Sequence, residues 1–345
     1  MTPRFGVWTP LPHTIRPEPR MGRAIAAATT PGGEGTDPAT AMALDIVCRA
    51  EQLGFAATLI AERWLGPDLS AWLLSAAIAA RTSRIEILTA IHPGVIDPAQ
   101  TAKLGASLDR ISNGRFSVNL VTGWFERELA MFGQGALLDD RAARYRRMEE
   151  FLRVLTALWS GENVNFAGEF YQLADAALPL RPRQAPRPPI YAASRDPAGR
   201  DIVATHADAW FVQTPTGTWD YALIRPAIAA AIADMSARAD RAGRRLTYAI
   251  SGHVICADTQ GAAEAAAAEL AAIGATDPIS AVAARALGAG LVGTPAMLIE
   301  RIADLADLGI ELLMLHFHPM EHGMEAFAAG VMPHFVPTTL QKAHA

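Results

Sequence analysis

Three histidines stand at the end of the last apolar run, ELLMLHFHPMEHG (residues 311–323), as His316, His318 and His322. The first two form an H-x-H pair. Such a pair suits a metal centre, an acid/base site or a polar rim. A metal needs three or four ligands with outer support, and H-x-H alone is a weak signal. No strand-end aspartate or lysine completes a centre, so we read a histidine-lined pocket and no metal. His318 or His316 then serves as hydrogen-bond donor or proton source, and His322 faces solvent or starts a helix. Other chemistry-bearing residues recur along the chain. AISGHVICAD (249–258) offers His253, and TAIHPG (89–94) offers His92. SNGRFSVNLVTGWFERELAMFGQ (112–134) offers Asn119, Thr122, Trp124 and Glu128. Arg144-Tyr145 follows, and YAASRDPAG (191–199) offers Ser194 and Arg195.

Positioning these residues requires a scaffold, and the pattern of elements supplies one. Short β-branched runs alternate with helical stretches. Strands are expected at Phe5–Thr9, Ala56–Glu62, Ile85–Ile91, Phe116–Thr122, Pro189–Ala193, Ala209–Gln213, Leu246–Cys256 and Glu311–Phe317. Helices are expected at Thr40–Leu53, Leu69–Arg81, Pro98–Ile111, Tyr145–Trp159, Pro197–His206, Trp219–Ala242, Thr259–Ile273 and Pro295–Leu308, with Asp97 and Asp196 as caps. Eight strands alternating with helices predict an α/β (β/α)8 TIM barrel with insertions, here a single domain over residues 1–345. A doubly wound sheet would carry a Gly-rich first turn, and the first turn here is TPLPH. Residues 10–38, 161–188 and 274–293 break the rhythm. The first reads as a long loop, the second as a hairpin with a proline-rich strap, and the first and third as lids on the catalytic face.

In such a barrel the strand ends carry the chemistry. His92 joins the rim, and Trp8 and Trp124 wall the pocket, although core packing is the commoner fate of tryptophan. By residue type alone, Asn119 equally caps a strand end, and Glu128 and Arg144 equally form a surface pair. His253 is equally a buried histidine bonded to a backbone carbonyl.

Composition excludes several classes. The chain has 345 residues, 51% hydrophobic and 19% charged, with a net charge of −5. That is enough apolar material for one large core, and no basic run suggests nucleic acid. Two cysteines far apart point to a reducing compartment. No signal-peptide pattern or membrane-length apolar run is present, so a cytoplasmic protein is expected.

The stretch NGRFSVNLVTGWF, with ARYRRMEEFLRVLTALWSG, the hairpin NVNFAGEFYQL and LVGTP, resembles the bacterial luciferase-like flavin-dependent monooxygenases. The branch holding dimethyl sulfone, alkanesulfonate and pyrimidine monooxygenases is the nearest in pattern. The resemblance implies that Asn119 and Glu128 contact a flavin, that Ala61 and Glu62 line its ring system, and that Arg144 and Tyr145 lie at the flavin and its phosphate. An amide, a carboxylate and an arginine suit those partners. Ser194 and Arg195 replace the usual Gly-Gly-Ser-Ser phosphate loop, which leaves room for the deazaflavin F420 beside FMN. Ser251 stands where sulfonate-type relatives carry arginine, which favours a neutral substrate. The resemblance further implies reduced FMN from a separate NAD(P)H:flavin reductase, O2, a sulfone-like substrate, and a homodimer or homotetramer. Hydride transfer with F420, or flavin binding without turnover, are the alternatives.

Overall fold

The computed structural model describes residues 2–12, 18–121, 126–133, 140–276 and 284–335. Three helices begin with the same two letters, Asp-Pro. Asp37, Asp97 and Asp196 each cap a helix (Pro38–Leu53, Pro98–Ile111, Pro197–His206), accepting from the backbone N of Thr40, Ala99 and Ala198 at 2.8, 2.8 and 3.0 Å. Proline at the first helical position costs no hydrogen bond, because that N–H has no partner inside the helix. Asp37 extends its helix two residues upstream of the expected Thr40.

Eight parallel strands close into a barrel: β1 (Arg4–Trp8), β2 (Ala57–Ile60), β3 (Glu86–Ile91), β4 (Phe116–Val121), β7 (Ile190–Ala193), β8 (Ala209–Phe211), β9 (Thr247–His253) and β12 (Ile310–His316). Their order around the barrel is β1-β12-β9-β8-β7-β4-β3-β2. The TIM-barrel expectation holds. β5 (Val164–Ala167) and β6 (Gln172–Ala176) form the expected antiparallel hairpin. Glu150 accepts from the backbone N of Glu169, Phe170 and Tyr171 at 2.7, 2.9 and 3.2 Å and so fixes its turn.

The chain comprises two compact units. One is Met1–Leu69 with Val212–Asp234 and Thr247–Ala345; the other is Ser70–Phe211 with Met235–Leu246. The first carries β9-β12-β1-β2 and the second β8-β7-β4-β3. In the first, Phe5 meets Phe327 edge-on at 5.4 Å and Phe317 meets Phe55 at 6.0 Å. These odd-numbered positions face the helices, so the even-numbered Gly6, Trp8, Met314 and His316 face the barrel interior. Gly6 is small because Met314 fills that level: a Cβ there would lie 2.3 Å from the Met314 sulfur.

The structure corrects two expectations. The region read as a long loop over 10–38 contains a helix, Pro19–Ala28, which buries Met21 and Ala24. Its cap residue, Glu18, makes no side-chain capping bond. The single strand expected at Leu246–Cys256 is two. β9 ends at His253, and β10 (Ile255–Cys256) turns to pair with β11 (Val292–Gly293) inside the third insertion. Residues 277–283 of that insertion lie outside the described residues. A further helix, Met320–Gly330, follows β12. Among the described residues no helix is long and apolar enough to cross a membrane.

The proline-rich strap enters β7 under control of one buried carboxylate. Asp109, fully buried, accepts from the backbone N of Arg183 and Gln184 at 2.6 and 2.9 Å and from Gln184 Nε2 at 2.7 Å. Gln184 Nε2 also donates to Phe116 O at 2.7 Å, which ties the strap to the start of β4. Asp109→Ala would strand these donors, and we expect a loss of about 3 kcal/mol in unfolding free energy, read by urea denaturation.

Candidate active site

The unit built on β9-β12-β1-β2 gathers a stack of rings at its strand ends. β9 and β12 pair in a register that sets His253 opposite His316. Adjacent positions in a parallel pair point the same way, so the two imidazoles lie side by side, stacked at 6.1 Å and 4°. Trp8, the last residue of β1, stacks on the other face of His316 at 4.6 Å and 23°. Its indole Nε1 donates to Ser251 Oγ at 3.1 Å. Both histidines are about 1% exposed. Thr9 and Thr58 share a buried hydroxyl bond of 2.8 Å beneath the turn after β1. Ala61, half-buried, and Glu62, buried, follow the end of β2. The arrangement offers stacked aromatic surface and imidazole nitrogens.

β12 ends at His316, and His318 lies half-buried between it and the helix Met320–Gly330. His322 is exposed on that helix, as expected. Among the described residues no cluster of three or more His, Cys, Asp or Glu side chains has the geometry to hold a metal.

The unit built on β8-β7-β4-β3 carries a polar cradle. Asn119, on the inward face of β4, is 6% exposed, and its Oδ1 finds no hydrogen-bond partner among the described residues. A buried amide oxygen of this kind costs stability unless a ligand or water meets it. Glu128 lies buried in the short helix Glu126–Met131. Arg144 is half-buried and Tyr145 buried, one turn into the helix Arg141–Ser160. Ser194, at the end of β7, donates to the Tyr145 hydroxyl at 3.4 Å, and Asp196 N donates back to Ser194 Oγ at 3.2 Å. Arg195 is exposed. Arg141 Nε sits 3.2 Å from the Asp196 carboxylate and offsets the charge that this acid brings to the helix start. His92 Nδ1 donates to Val121 O at 3.2 Å, at the adjacent ends of β3 and β4. Thr122 and Trp124 lie outside the described residues.

Sequence reasoning missed two members. Ser251 was read only as a lost arginine, yet it anchors Trp8. Gly199, in the first turn after Asp196-Pro197, was passed over, yet a Cβ there would lie 2.2 Å from Ser194 Oγ and 2.4 Å from the Tyr145 ring. A glycine inside the first turn of a D-P-x-G helix start was the available signal. Another glycine-rich stretch, GAGLVG at 288–293, is consumed by packing, since a Cβ on Gly288 would lie 1.9 Å from Pro215 O. The residues present fit a phosphorylated flavin on one observation, the unsatisfied Asn119 oxygen; Ser194 and Tyr145 close on Gly199 at a helix N-terminus, where backbone N–H groups favour anions.

Comparison with known proteins agrees with the barrel fold. The model of the luciferase-like monooxygenase family matches residues 21–312. The FMNH2-dependent dimethylsulfone monooxygenase of Pseudomonas putida is 30% identical over 288 residues, covering 75% of this chain and 77% of that protein. Monooxygenase RslO1 from Streptomyces bottropensis superposes with a TM-score of 0.70 at 20% identity, covering 96% of this chain and 100% of that one. An F420-dependent secondary alcohol dehydrogenase superposes with a TM-score of 0.72 at 18% identity, covering 98% and 100%. The two structural likenesses speak to the fold.

Gly199→Ala tests the cradle directly. We expect millimolar inorganic phosphate to raise the melting temperature of the wild-type protein and to leave the Gly199→Ala melting temperature unmoved.

Proposed function

Because the chain belongs to the luciferase-like monooxygenase family, we propose that it is a flavin-dependent monooxygenase using reduced FMN and O2 to cleave a carbon–heteroatom bond in a small neutral organosulfur substrate of the sulfone class. The observation that carries this reading is the buried Asn119 oxygen without a hydrogen-bond partner among the described residues, at the position the resemblance gives to the flavin.

Ser194, Arg195 and the backbone of the first turn at Ala198–Gly199 would hold the phosphate, with Tyr145 packed beneath. Asn119 would meet the polar edge of the ring system, and Glu128 and Arg144 its neighbouring groups. Ala61 and Glu62 would line it. When bound, reduced FMN supplies the electrons that activate O2. The protein's part is positional and electrostatic. Buried Trp8, His253 and His316 form a wall that excludes water from the substrate. An imidazole of the stack can pass a proton to an oxygen of the substrate as the bond breaks. Ser251 is uncharged and already engaged with Trp8, which suits a sulfone better than a sulfonate anion. The electrons would come through a separate NAD(P)H:flavin reductase, and the protein would act as a homodimer or homotetramer. A second reading is favoured by Ser194-Arg195-Asp196 standing where glycines are usual: hydride exchange with F420.

Anaerobic titration with reduced FMN, followed by a pulse of oxygenated buffer, tests the assignment. We expect tight binding, and substrate-dependent loss of O2 with dimethyl sulfone but not with an alkanesulfonate. Tight F420 binding with no affinity for reduced FMN would transfer the site to the second reading. Asn119→Ala should weaken reduced FMN about tenfold, the worth of one buried hydrogen bond.

A further inference from the structure

The ring stack on the β9-β12-β1-β2 unit has one member unlike the others. His253 and His316 are each 1% exposed, whereas Trp8 is half-buried. The surface that the stack shows to its surroundings is therefore the indole. His316 lies between the two other rings, 4.6 Å from Trp8 and 6.1 Å from His253. Trp8 also differs from the core tryptophans. Trp210 is fully buried, and Trp159, 2% exposed, donates its Nε1 to a backbone oxygen, Ala102 O, at 3.0 Å. Trp8 donates instead to a single side-chain hydroxyl, Ser251 Oγ, at 3.1 Å. Among the described residues Trp8 is tied by one ring contact and one polar atom.

The backbone at Trp8 is fixed. Trp8 pairs with Leu59 in the β1–β2 register. The next residue is pinned twice: Thr9 N donates to Leu59 O at 3.0 Å, and the Thr9 and Thr58 hydroxyls bond at 2.8 Å. Movement of the indole is therefore rotation about its own side-chain bonds. The level beneath is filled, since a Cβ on Gly6 would lie 2.3 Å from the Met314 sulfur. A packed interior leaves no room downward, so the ring can leave only toward the strand ends. Ser251 pairs with Met314, one inward-facing level below the histidines. An indole that reaches down to Ser251 crosses the His316 ring on the way. One rotamer thus makes both contacts, and loss of the hydrogen bond loosens the cover.

We propose that Trp8 is a hinged cover over His316 and that Ser251 is the positioning residue that latches it shut. This rests on the reading of the stack as part of a turnover site. The imidazole meets substrate only after the indole turns outward, and the closed cover keeps water from it before then. One neutral hydrogen bond and one aromatic contact hold such a cover closed for most of the time and let it open without unfolding. Removing the hydrogen bond alone should multiply the open population about fivefold.

Acylation of histidine by diethyl pyrocarbonate, mapped by mass spectrometry on the flavin-free full-length protein, tests the cover. It needs neither substrate nor flavin, so its failure is distinguishable from failure of the monooxygenase assignment. The exposed His322 is the internal reference. In the wild-type protein His316 is expected to react about tenfold more slowly than His322, because reaction waits on local opening. Ser251→Ala should speed His316 about fivefold and leave His322 unchanged. Ser251→Thr, which keeps the acceptor, should retain the wild-type protection. Fluorine NMR of protein labelled with 5-fluorotryptophan gives a second readout, the Trp8 signal being assigned by its loss in Trp8→Phe. Ser251→Ala should shift that signal and leave the other tryptophan signals in place. Equal rates at His316 and His322 in the wild type, an unchanged His316 rate in Ser251→Ala, an equal acceleration in Ser251→Thr, or an unmoved Trp8 signal would each overturn the proposal.

Discussion

The register between β9 and β12 is the constraint on which the ring stack depends. His253 and His316 share a level only because Ile250 faces Leu313 and Ser251 faces Met314 lower down. A slip of one residue would send His316 to the helix side, where Phe317 now packs with Phe55 and Phe327. Burying an imidazole in place of that phenylalanine would cost stability twice: once for the lost apolar contact, and once for the polar group set in hydrocarbon. Outward packing therefore enforces inward chemistry. Gly6 serves the same end one level down, because it leaves the interior to Met314 and lets Trp8 and His316 meet above it.

Much of the scaffold was legible in the sequence because its signals are local. Pro98–Ile111 and Pro197–His206 match their expected bounds to the residue, and in both the Asp-Pro start is the reason. What was missed depends on partners that the sequence does not display. The helix Pro19–Ala28 lies in a segment whose prolines, glycines and threonines read as loop, and it starts without a side-chain cap. The break between β9 and β10 is invisible to periodicity. Residues 247–256 are uniformly apolar enough for one strand, and only the presence of Val292–Gly293 decides that Ile255 changes partners.

The candidate site was legible by type and partly opaque by geometry. Asn119, Tyr145 and Ser194 were named from motif and resemblance, and the structure gives each a definite burial and neighbour. Glu128 was left between a ligand role and a pair with Arg144, and the structure adds its burial. Gly199 and Ser251 were opaque because their contribution is relational. One supplies absence of bulk beside Tyr145, and the other supplies an acceptor for an indole 243 positions away. Neither property belongs to the residue alone.

The hairpin β5–β6 leaves one last consequence. Its turn is fixed by Glu150, a residue of the preceding helix, through three backbone donors whose side-chain identities are irrelevant to the bond. Glu150 is the plug of the hairpin, and Arg146 with Glu169 and Phe151 with Tyr171 hold the turn to the same helix. Recombination among relatives can exchange the hairpin only where these partners travel with the recipient helix.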